Sequence, residues 1–172
     1  MLYRISKYDP VNYDENGVYL FPEEWTDFSD IGRDACTPKL TFEDYLHVEN
    51  NYVATLFDIA AAKNVKFFTI TQIEKYGKTR HWWKSKKRYP VSLICDFVSD
   101  CLRNRVWGVI RADGFICYPS WDFYFYAKCD IDKALIDSIC ASHSLYCTDF
   151  NETFWEDVID WKPFKTKRRF YH

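Results

Sequence analysis

The chain has 172 residues, of which 25 are acidic and 23 basic, for a net charge of −2. Hydrophobic residues make up 48% of it and charged residues 28%, which is typical of one folded domain and excludes an intrinsically disordered chain. No apolar run approaches the about 18 residues of a membrane-spanning helix, so no membrane partner is expected.

Opposite charges are sorted into blocks along the chain. Residues 1–60 carry 12 acids and 4 bases, whereas residues 61–90 carry 9 bases and 1 acid. Residues 91–160 return to 12 acids and 5 bases, and the last 12 residues hold 5 bases and no acid. The small net charge therefore conceals surfaces of both signs, which steer charged partners and reject wrong ones.

The predicted elements begin with a strand over residues 2–8. Asp9-Pro10 ends it, and the residue before a proline avoids helical backbone angles. A long acidic and aromatic segment, 9–40, follows, with short strand or turn pieces expected at 18–21 and 25–31. A connection of this length is uncommon in a compact domain and is often functional.

Thr41 begins the clearest helix, because it starts a capping-box pattern and apolar residues then recur at three- and four-residue steps to about Lys63. A run of β-branched and aromatic residues predicts a strand over 65–71. A second capping pattern, T-x-x-E, predicts a short helix at 72–76.

An exposed basic loop, 78–89, precedes a predicted helix over about 90–104, in which Pro90 suits the first turn. The later predicted elements are strands at 105–111, 115–118 and 122–128, a helix at 131–143 capped by Asp130, a strand at 145–150 and a short helix at 152–161. Asp113-Gly114 is the strongest hairpin signal among them.

Strands and helices interleave irregularly, which predicts an α+β fold. We expect one domain over residues 1–161, with a mainly antiparallel or mixed β-sheet and about four helices packed against it. Residues 162–172 are expected to form a basic, flexible tail.

The sequence shows no recognisable catalytic or metal-binding motif. Phosphate-binding, dinucleotide-binding, zinc-protease and nucleophile-elbow patterns are all missing. The seven cysteines form no C-x-x-C pair, and the N-terminal segment lacks the apolar run of a signal peptide, so a cytoplasmic protein without metal or cofactor is expected. An enzyme with an unrecognised Cys/His or carboxylate site stays open as an alternative.

The acidic segment combines carboxylates with aromatic rings, as protein-recognition surfaces do. A basic enzyme such as a nuclease would suit it, and Trp25 would serve as an anchor. The candidate partner-binding residues are Asp14, Glu15, Glu23, Glu24, Trp25, Asp27 and Asp30.

The basic loop supports a different hypothesis, because cations that follow a backbone and rings that stack on bases suit single-stranded nucleic acid. The candidate nucleic-acid-binding residues are Arg80, Trp82, Trp83, Lys84, Lys86, Lys87 and Arg88. The acidic remainder of the chain would repel nucleic acid, so a protein partner is preferred.

Several motifs resemble those of a known family. They are Tyr8-Asp9-Pro10, Asp14-Glu15-Asn16-Gly17, Glu24-Trp25-Thr26 and Ser29-Asp30-Ile31-Gly32, followed by residues 41–46, 48–50 and 73–76, with a weaker likeness at 122–126. Over about two-thirds of its length the chain is similar to small, poorly characterised bacterial cytosolic proteins associated with immunity to polymorphic or contact-dependent growth-inhibition toxins.

The resemblance implies a protein that binds and blocks a partner toxin and performs no chemistry of its own. The acidic residues named above would then meet cationic groups of the toxin. The basic loop and the C-terminal KTKRRFYH sequence have no counterpart in that family and depart from a purely acidic inhibitor.

Overall fold

A computed structural model describes residues 1–21, 24–34, 36 and 38–150 of the chain. Its strands are β1 Leu2–Ser6, β2 Phe67–Lys75, β3 Arg88–Pro90, β4 Val106–Ala112, β5 Phe115–Pro119, β6 Phe125–Cys129 and β7 Tyr146–Asp149. Its α-helices are α1 Phe42–Ala62, α2 Ile94–Leu102 and α3 Lys133–Ser142, and its 3-10 helices are Pro10–Asn12, Phe28–Asp30 and Val91–Leu93.

The seven strands form one sheet in the order β3-β2-β4-β5-β6-β1-β7, and every neighbouring pair is antiparallel. The predicted α+β class with an antiparallel sheet is therefore confirmed. The prediction of about four helices is not matched, since the described residues form three α-helices. The predicted helix at 152–161 and the tail at 162–172 lie outside the described residues.

Both faces of the sheet carry buried side chains. On one face, inward side chains such as Ile5, Ile110 and Phe125 join α1 and α2 in the main core. On the other face, Leu2, Val109, Ile116, Tyr118 and Tyr126 form a second cluster. In the described part of the chain, no helix is long and apolar enough to cross a membrane.

The start of α1 confirms the predicted capping box. The Asp44 backbone N–H donates to Thr41 Oγ1 at 3.1 Å, and the Thr41 backbone N–H donates to the Asp44 carboxylate at 3.3 Å. The helix ends at Ala62, and Asn64 follows in the left-handed region with φ 53°. Local hydrogen bonding at both ends thus sets the bounds that the sequence predicted.

The short helix predicted at 72–76 is wrong, because β2 continues to Lys75. Glu74 and Lys75 pair with Trp107 and Val106 of β4, after a bulge that follows Thr71. Gln72 takes a left-handed φ of 53° in that bulge. Pairing with β4 therefore overrides a capping pattern that no apolar helical repeat accompanies.

Three other elements have bounds that differ from the predicted ones. The cap of α3 is Asp132 and not Asp130, since the Asp132 carboxylate accepts the Ala134 backbone N–H at 2.8 Å. The strand predicted at 122–128 begins later, at Phe125, because the turn before it holds two residues with positive φ. Where one helix over 90–104 was predicted, a 3-10 turn over Val91–Leu93 precedes the shorter α2.

Candidate functional site

The first part of the acidic segment is an ordered hairpin over residues 11–21. The Leu20 backbone N–H donates to the Asn12 carbonyl, and the Asp14 backbone N–H to the Val18 carbonyl, both at 2.9 Å. The Asp14 carboxylate in turn accepts the backbone N–H groups of Val18 and Asn16 at 2.8 and 2.9 Å. These hydrogen bonds, that from Val18 above all, hold the pKa of Asp14 below its usual range. The turn is therefore built by the same carboxylate that was predicted to meet a partner.

The hairpin divides its large side chains between core and solvent. The Tyr19 ring packs against the Tyr8 ring with centroids 4.8 Å apart, and the Tyr13 hydroxyl shares a hydrogen bond with the Tyr124 hydroxyl. The outward side chains are more than half exposed; they are Val11, Val18, Leu20 and Phe21. Exposed apolar side chains grouped in this way are typical of interaction sites.

The next carboxylates, Asp27 and Asp30, shape the 3-10 helix Phe28–Asp30. The Asp27 carboxylate accepts the Ser29 backbone N–H at 2.7 Å, and Asp30 accepts the backbone N–H of Asp27 at 3.0 Å. Burial opposes ionisation of Asp27, but hydrogen bonds from Ser29 and from the Asn104 amide keep its pKa below the usual range. Both carboxylates add negative charge to the surface while they hold the loop in shape.

Trp25 and Glu24 attach the acidic segment to the domain. The half-buried Trp25 ring packs edge-to-face on Phe123 at 4.9 Å, and Lys7 Nζ lies 4.0 Å from its centroid. Lys7 also forms an ion pair with Glu24. Trp25 is therefore committed to intramolecular packing, although the sequence suggested it as a partner anchor. Glu15 lies exposed at the hairpin tip, and Glu23 lies outside the described residues.

The turn between β5 and β6 adds two residues that the sequence prediction missed. The Trp121 side chain is 67% exposed, and the Asp122 backbone beside it has φ 55°. Phe123 follows with φ 60° and is buried. Two consecutive non-glycine residues with left-handed backbone angles store strain, which persists only where surrounding contacts hold the backbone in place.

A buried hydroxyl holds that turn in place. The Tyr52 hydroxyl of α1 donates to the Phe123 carbonyl and accepts the Lys7 backbone N–H at 2.7 Å. Asp122 consequently lies close to the 3-10 helix, and burial together with the charges of Asp27 and Asp30 raises its pKa. The acidic surface, as we name it, consists of the hairpin 11–21, the 3-10 helix Phe28–Asp30 with its cap Asp27, and the turn 120–124.

The cavity within this surface is small. It has a volume of about 60 Å³ and lies between Asp27, Tyr76, Trp107 and Trp121. Binding sites for small molecules usually enclose about 300–1,000 Å³. The acidic surface is therefore shaped for a macromolecular partner more than for a small substrate.

The adjacent tryptophans of the basic loop have opposite environments. Trp83 is fully buried, and its Nε1–H donates to the Asp100 carboxylate at 2.9 Å. Trp82 is 73% exposed, and Lys75 Nζ lies 3.7 Å from its ring centroid. Of the two tryptophans predicted to contact nucleic acid, only Trp82 is accessible.

The predicted cations of the loop are in solvent. Lys84, Lys86 and Lys87 are exposed, and so is Arg88, whose guanidinium lies 3.9 Å from the Phe67 ring centroid. The Lys86 backbone N–H donates to the Ile70 carbonyl at 2.7 Å, which fixes the loop on β2. These cations are thus displayed on an anchored loop.

A polar cleft of about 620 Å³ adjoins the loop, and four cations line it: Lys78, Arg80, Arg103 and Arg105. Arg80 pairs with Asp96 at 2.8 Å, and Arg105 contacts Asp100 at 3.5 Å. Arg103 donates twice to the Glu49 carboxylate, each time at 2.7 Å. The sequence prediction missed Arg103 and Arg105, because only the fold brings the end of α2 beside residues 78–80.

The basic surface, as we name it, consists of the loop 78–88 and this cleft. It meets the acidic surface at the connection between α2 and β4. There the Asn104 side chain donates to Asp27 of the acidic surface, while the neighbouring Arg103 and Arg105 line the cleft.

The described residues contain no group of three or more His, Cys, Asp or Glu side chains that could hold a metal ion. Two histidines are engaged in pairs, His81 with Asp96 at 2.8 Å and His143 with Asp58 at 2.7 Å. Comparison of the chain with protein-family models, curated proteins and solved structures finds no match. Its function must therefore be inferred from the chemistry of the two surfaces.

Proposed function

We propose that the chain is a non-enzymatic binding protein that neutralises a cognate bacterial toxin, a nuclease domain, through the acidic surface. The observation that carries this proposal is the exposure of five apolar side chains on elements that also carry carboxylates; they are Val11, Val18, Leu20 and Phe21 of the hairpin and Trp121 of the turn. An apolar centre with a charged rim is the usual anatomy of a protein–protein interface.

The charge of the acidic surface suits a nuclease. A nuclease holds phosphates with Lys and Arg side chains, so its binding face is positive. Carboxylates such as Glu15 and Asp122 complement that face and accelerate association. Trp121 supplies the large exposed ring that interface hot spots favour.

The acidic surface is also preorganised. The hairpin is closed by backbone hydrogen bonds and by the Asp14 carboxylate, and the turn carrying Trp121 is held by Tyr52. Groups that are ordered before binding lose less conformational entropy in the complex. A surface of this kind supports tight inhibition without any chemistry.

Two features agree with the proposed immunity function in the cytoplasm. The motifs between Tyr8 and Gly32, from which the resemblance to immunity proteins was expected, include much of the acidic surface. All seven cysteines are free, which agrees with a reducing compartment.

A pull-down from the native host, with the full chain as bait at low and moderate salt, would identify the partner. We expect recovery of the C-terminal domain of one large secreted protein. Titration calorimetry with that domain should then show that Trp121→Ala weakens binding about 30-fold or more, as hot-spot residues do.

Trp82→Ala is the matched control, because it removes an equally exposed ring from the basic surface. It should leave toxin affinity unchanged. Equal affinities for the Trp121→Ala variant and the parent protein would overturn the assignment of the acidic surface, and recovery of nucleic acid alone would overturn the immunity function.

A further inference from the structure

We infer that the basic surface binds single-stranded nucleic acid, with the cleft holding phosphates and Trp82 stacking on a base. This activity goes beyond toxin neutralisation and uses different residues. Three features carry the inference: the convergence of cations on one cleft, the exposed ring beside it, and the boundary that the acidic surface sets.

The cleft collects four cations from separate parts of the chain, and the carboxylates of Asp96 and Asp100 line it beside them. Lys78 and Arg80 come from the start of the loop, whereas Arg103 and Arg105 flank the end of α2. Each guanidinium has five N–H donors, and the ion pairs with Asp96, Asp100 and Glu49 occupy one or two of them. The arginines therefore keep donors for phosphate oxygens, while Asp96, Asp100 and Glu49 hold them in place.

Trp82 extends the cleft with a stacking platform. It lies two residues after Arg80, and its ring is largely in solvent although Lys75 contacts one face. Bases of a single strand stack on such rings with little sequence preference. The bases of a duplex are already stacked on one another, so a protruding ring favours single strands.

The loop is held in a fixed position for this contact. The buried Trp83 ring packs on Phe97 and Tyr89 with centroids 5.2 and 5.1 Å away, and its Nε1–H is bonded to Asp100. Trp82 and the following lysines are therefore presented by a rigid base. Preorganisation of this kind lowers the entropic cost of binding.

The acidic surface limits the path of the bound strand. Asp27 lies at the α2–β4 connection, where it accepts the amide of Asn104 between the cleft residues Arg103 and Arg105, and it repels phosphates there. We therefore expect the strand to continue from the cleft along the loop that carries Trp82, Lys84, Lys86 and Lys87. The acidic remainder of the chain limits where nucleic acid binds without preventing it.

The test is fluorescence anisotropy with labelled single strands of about 12 nucleotides, DNA and RNA, beside a duplex of the same length. We expect the single strands to bind more tightly than the duplex. If about four phosphates are contacted, the plot of log K against log salt should have a slope of about −3. Tighter binding of the duplex, or no binding at low salt, would overturn the inference.

Variants locate the contact. Trp82→Ala should weaken single-strand binding roughly 5- to 100-fold with an unchanged salt slope, because stacking is not ionic. Lys78→Ala combined with Lys84→Ala should reduce the slope by about 1.4. Trp121→Ala, which removes a similarly exposed ring from the acidic surface, is the matched control. It should change neither the affinity for single strands nor the salt slope.

Competition with polyglutamate distinguishes nucleic acid from an acidic protein. If polyglutamate of equal charge competes as well as the oligonucleotide, or if Trp82→Ala and Trp121→Ala respond alike, the inference fails. Because Trp82→Ala is expected to leave toxin binding unchanged, failure here is distinguishable from failure of the proposed toxin neutralisation.

Discussion

Trp82 and Trp121 are comparable exposed rings in opposite electrostatic surroundings. Trp82 lies beside Lys75 and Lys84, whereas Trp121 lies beside Asp122. Ring area alone gives both residues the same capacity for contact. The charge around each ring therefore decides which partner the surface selects, a protein with a basic face or a nucleic acid.

The two surfaces also differ in what their charges do within the fold. The carboxylates of Asp14, Asp27 and Asp30 accept backbone hydrogen bonds, so they build the loop that displays them. The basic loop is held by the buried Trp83 and by the Lys86 backbone N–H, whereas the side chains of its lysines lie in solvent. Substitutions at lysines should thus report on binding, whereas substitutions at the capping carboxylates also disturb the fold.

The largest loss of stability is expected for a substitution of Trp83, the buried residue that holds the basic loop. Trp83→Ala should lower the free energy of unfolding by about 4 kcal/mol, because it opens a cavity and leaves Asp100 without its indole donor. Urea denaturation, monitored by circular dichroism, measures this loss of free energy of unfolding. Trp82→Ala, the neighbouring control, should change stability by less than about 0.5 kcal/mol. Equal losses at the two positions would contradict the different roles assigned to them.

The next largest loss of stability is expected for a substitution of Tyr52, whose hydroxyl holds the turn 120–124 of the acidic surface. Tyr52→Phe removes the hydroxyl that joins Lys7 to Phe123 and takes away the partner of the buried Phe123 carbonyl and of the partly buried Lys7 backbone N–H. We expect a loss of about 2 kcal/mol in the same denaturation experiment. Hydrogen exchange should become faster at residues 120–124 and not at 78–88. Uniform acceleration would mean that Tyr52 stabilises the whole core and not this turn.

A smaller, pH-dependent effect is expected beside the basic cleft. Burial disfavours the charged form of Asp96, but hydrogen bonds from His81 and Arg80 outweigh it and keep its pKa below the usual range. A lowered pKa stabilises the fold above the unfolded-state value of about 3.9, and this contribution is lost as the pH falls through the folded-state pKa.

His81→Ala removes one of the two donors to Asp96. It should raise the pKa of Asp96, as followed by carboxyl NMR titration, and reduce stability at neutral pH by about 0.5 kcal/mol. The deficit should narrow as the pH falls below about 4. An unchanged Asp96 titration in the variant would show that Arg80 alone sets this pKa.

The smallest expected effect is a gain in stability, from a substitution of Asp122 in the acidic surface. Asp122 has a raised pKa, because burial and the charges of Asp27 and Asp30 disfavour its ionised form. A raised pKa gives stability that is present below the unfolded-state value of about 3.9 and lost as the pH rises through the folded-state pKa. The ionised carboxylate therefore costs stability at neutral pH.

Asp122→Asn should stabilise the protein by about 0.3 kcal/mol at neutral pH, and the charge-related part of this gain should vanish near pH 3. Thermal unfolding at both pH values measures it. Because asparagine also tolerates a positive φ, a pH-independent remainder would report the backbone contribution. A loss of stability at neutral pH would contradict the proposed repulsion.

Local features of the sequence predicted much of the fold. The capping box at Thr41 set the start of α1, and Asp113-Gly114 formed the turn between β4 and β5, with Gly114 at φ 64°. The capping pattern after Thr71 failed, because its outcome depended on a strand 30 or more residues away in sequence. Patterns succeed where the deciding hydrogen bonds join close neighbours in the chain.

The candidate surfaces were predicted in part. The blocks of charge indicated one acidic and one basic surface, and the two loops carry some of the exposed side chains that the proposals use. Trp121 and Asp122 were missed because their turn was predicted as strand, and Arg103 and Arg105 because a cleft formed by distant segments has no local signature.

The sequence by itself determined the separation of charge, the α+β class and the ends of α1, since these depend on composition and on hydrogen bonds between near neighbours. Only the tertiary structure decided which side chains are available to a partner. Trp82 and Trp83 are adjacent and chemically identical, yet one lies in solvent and the other is buried against Asp100. Burial depends on contacts between segments far apart in the chain, and no local pattern encodes them.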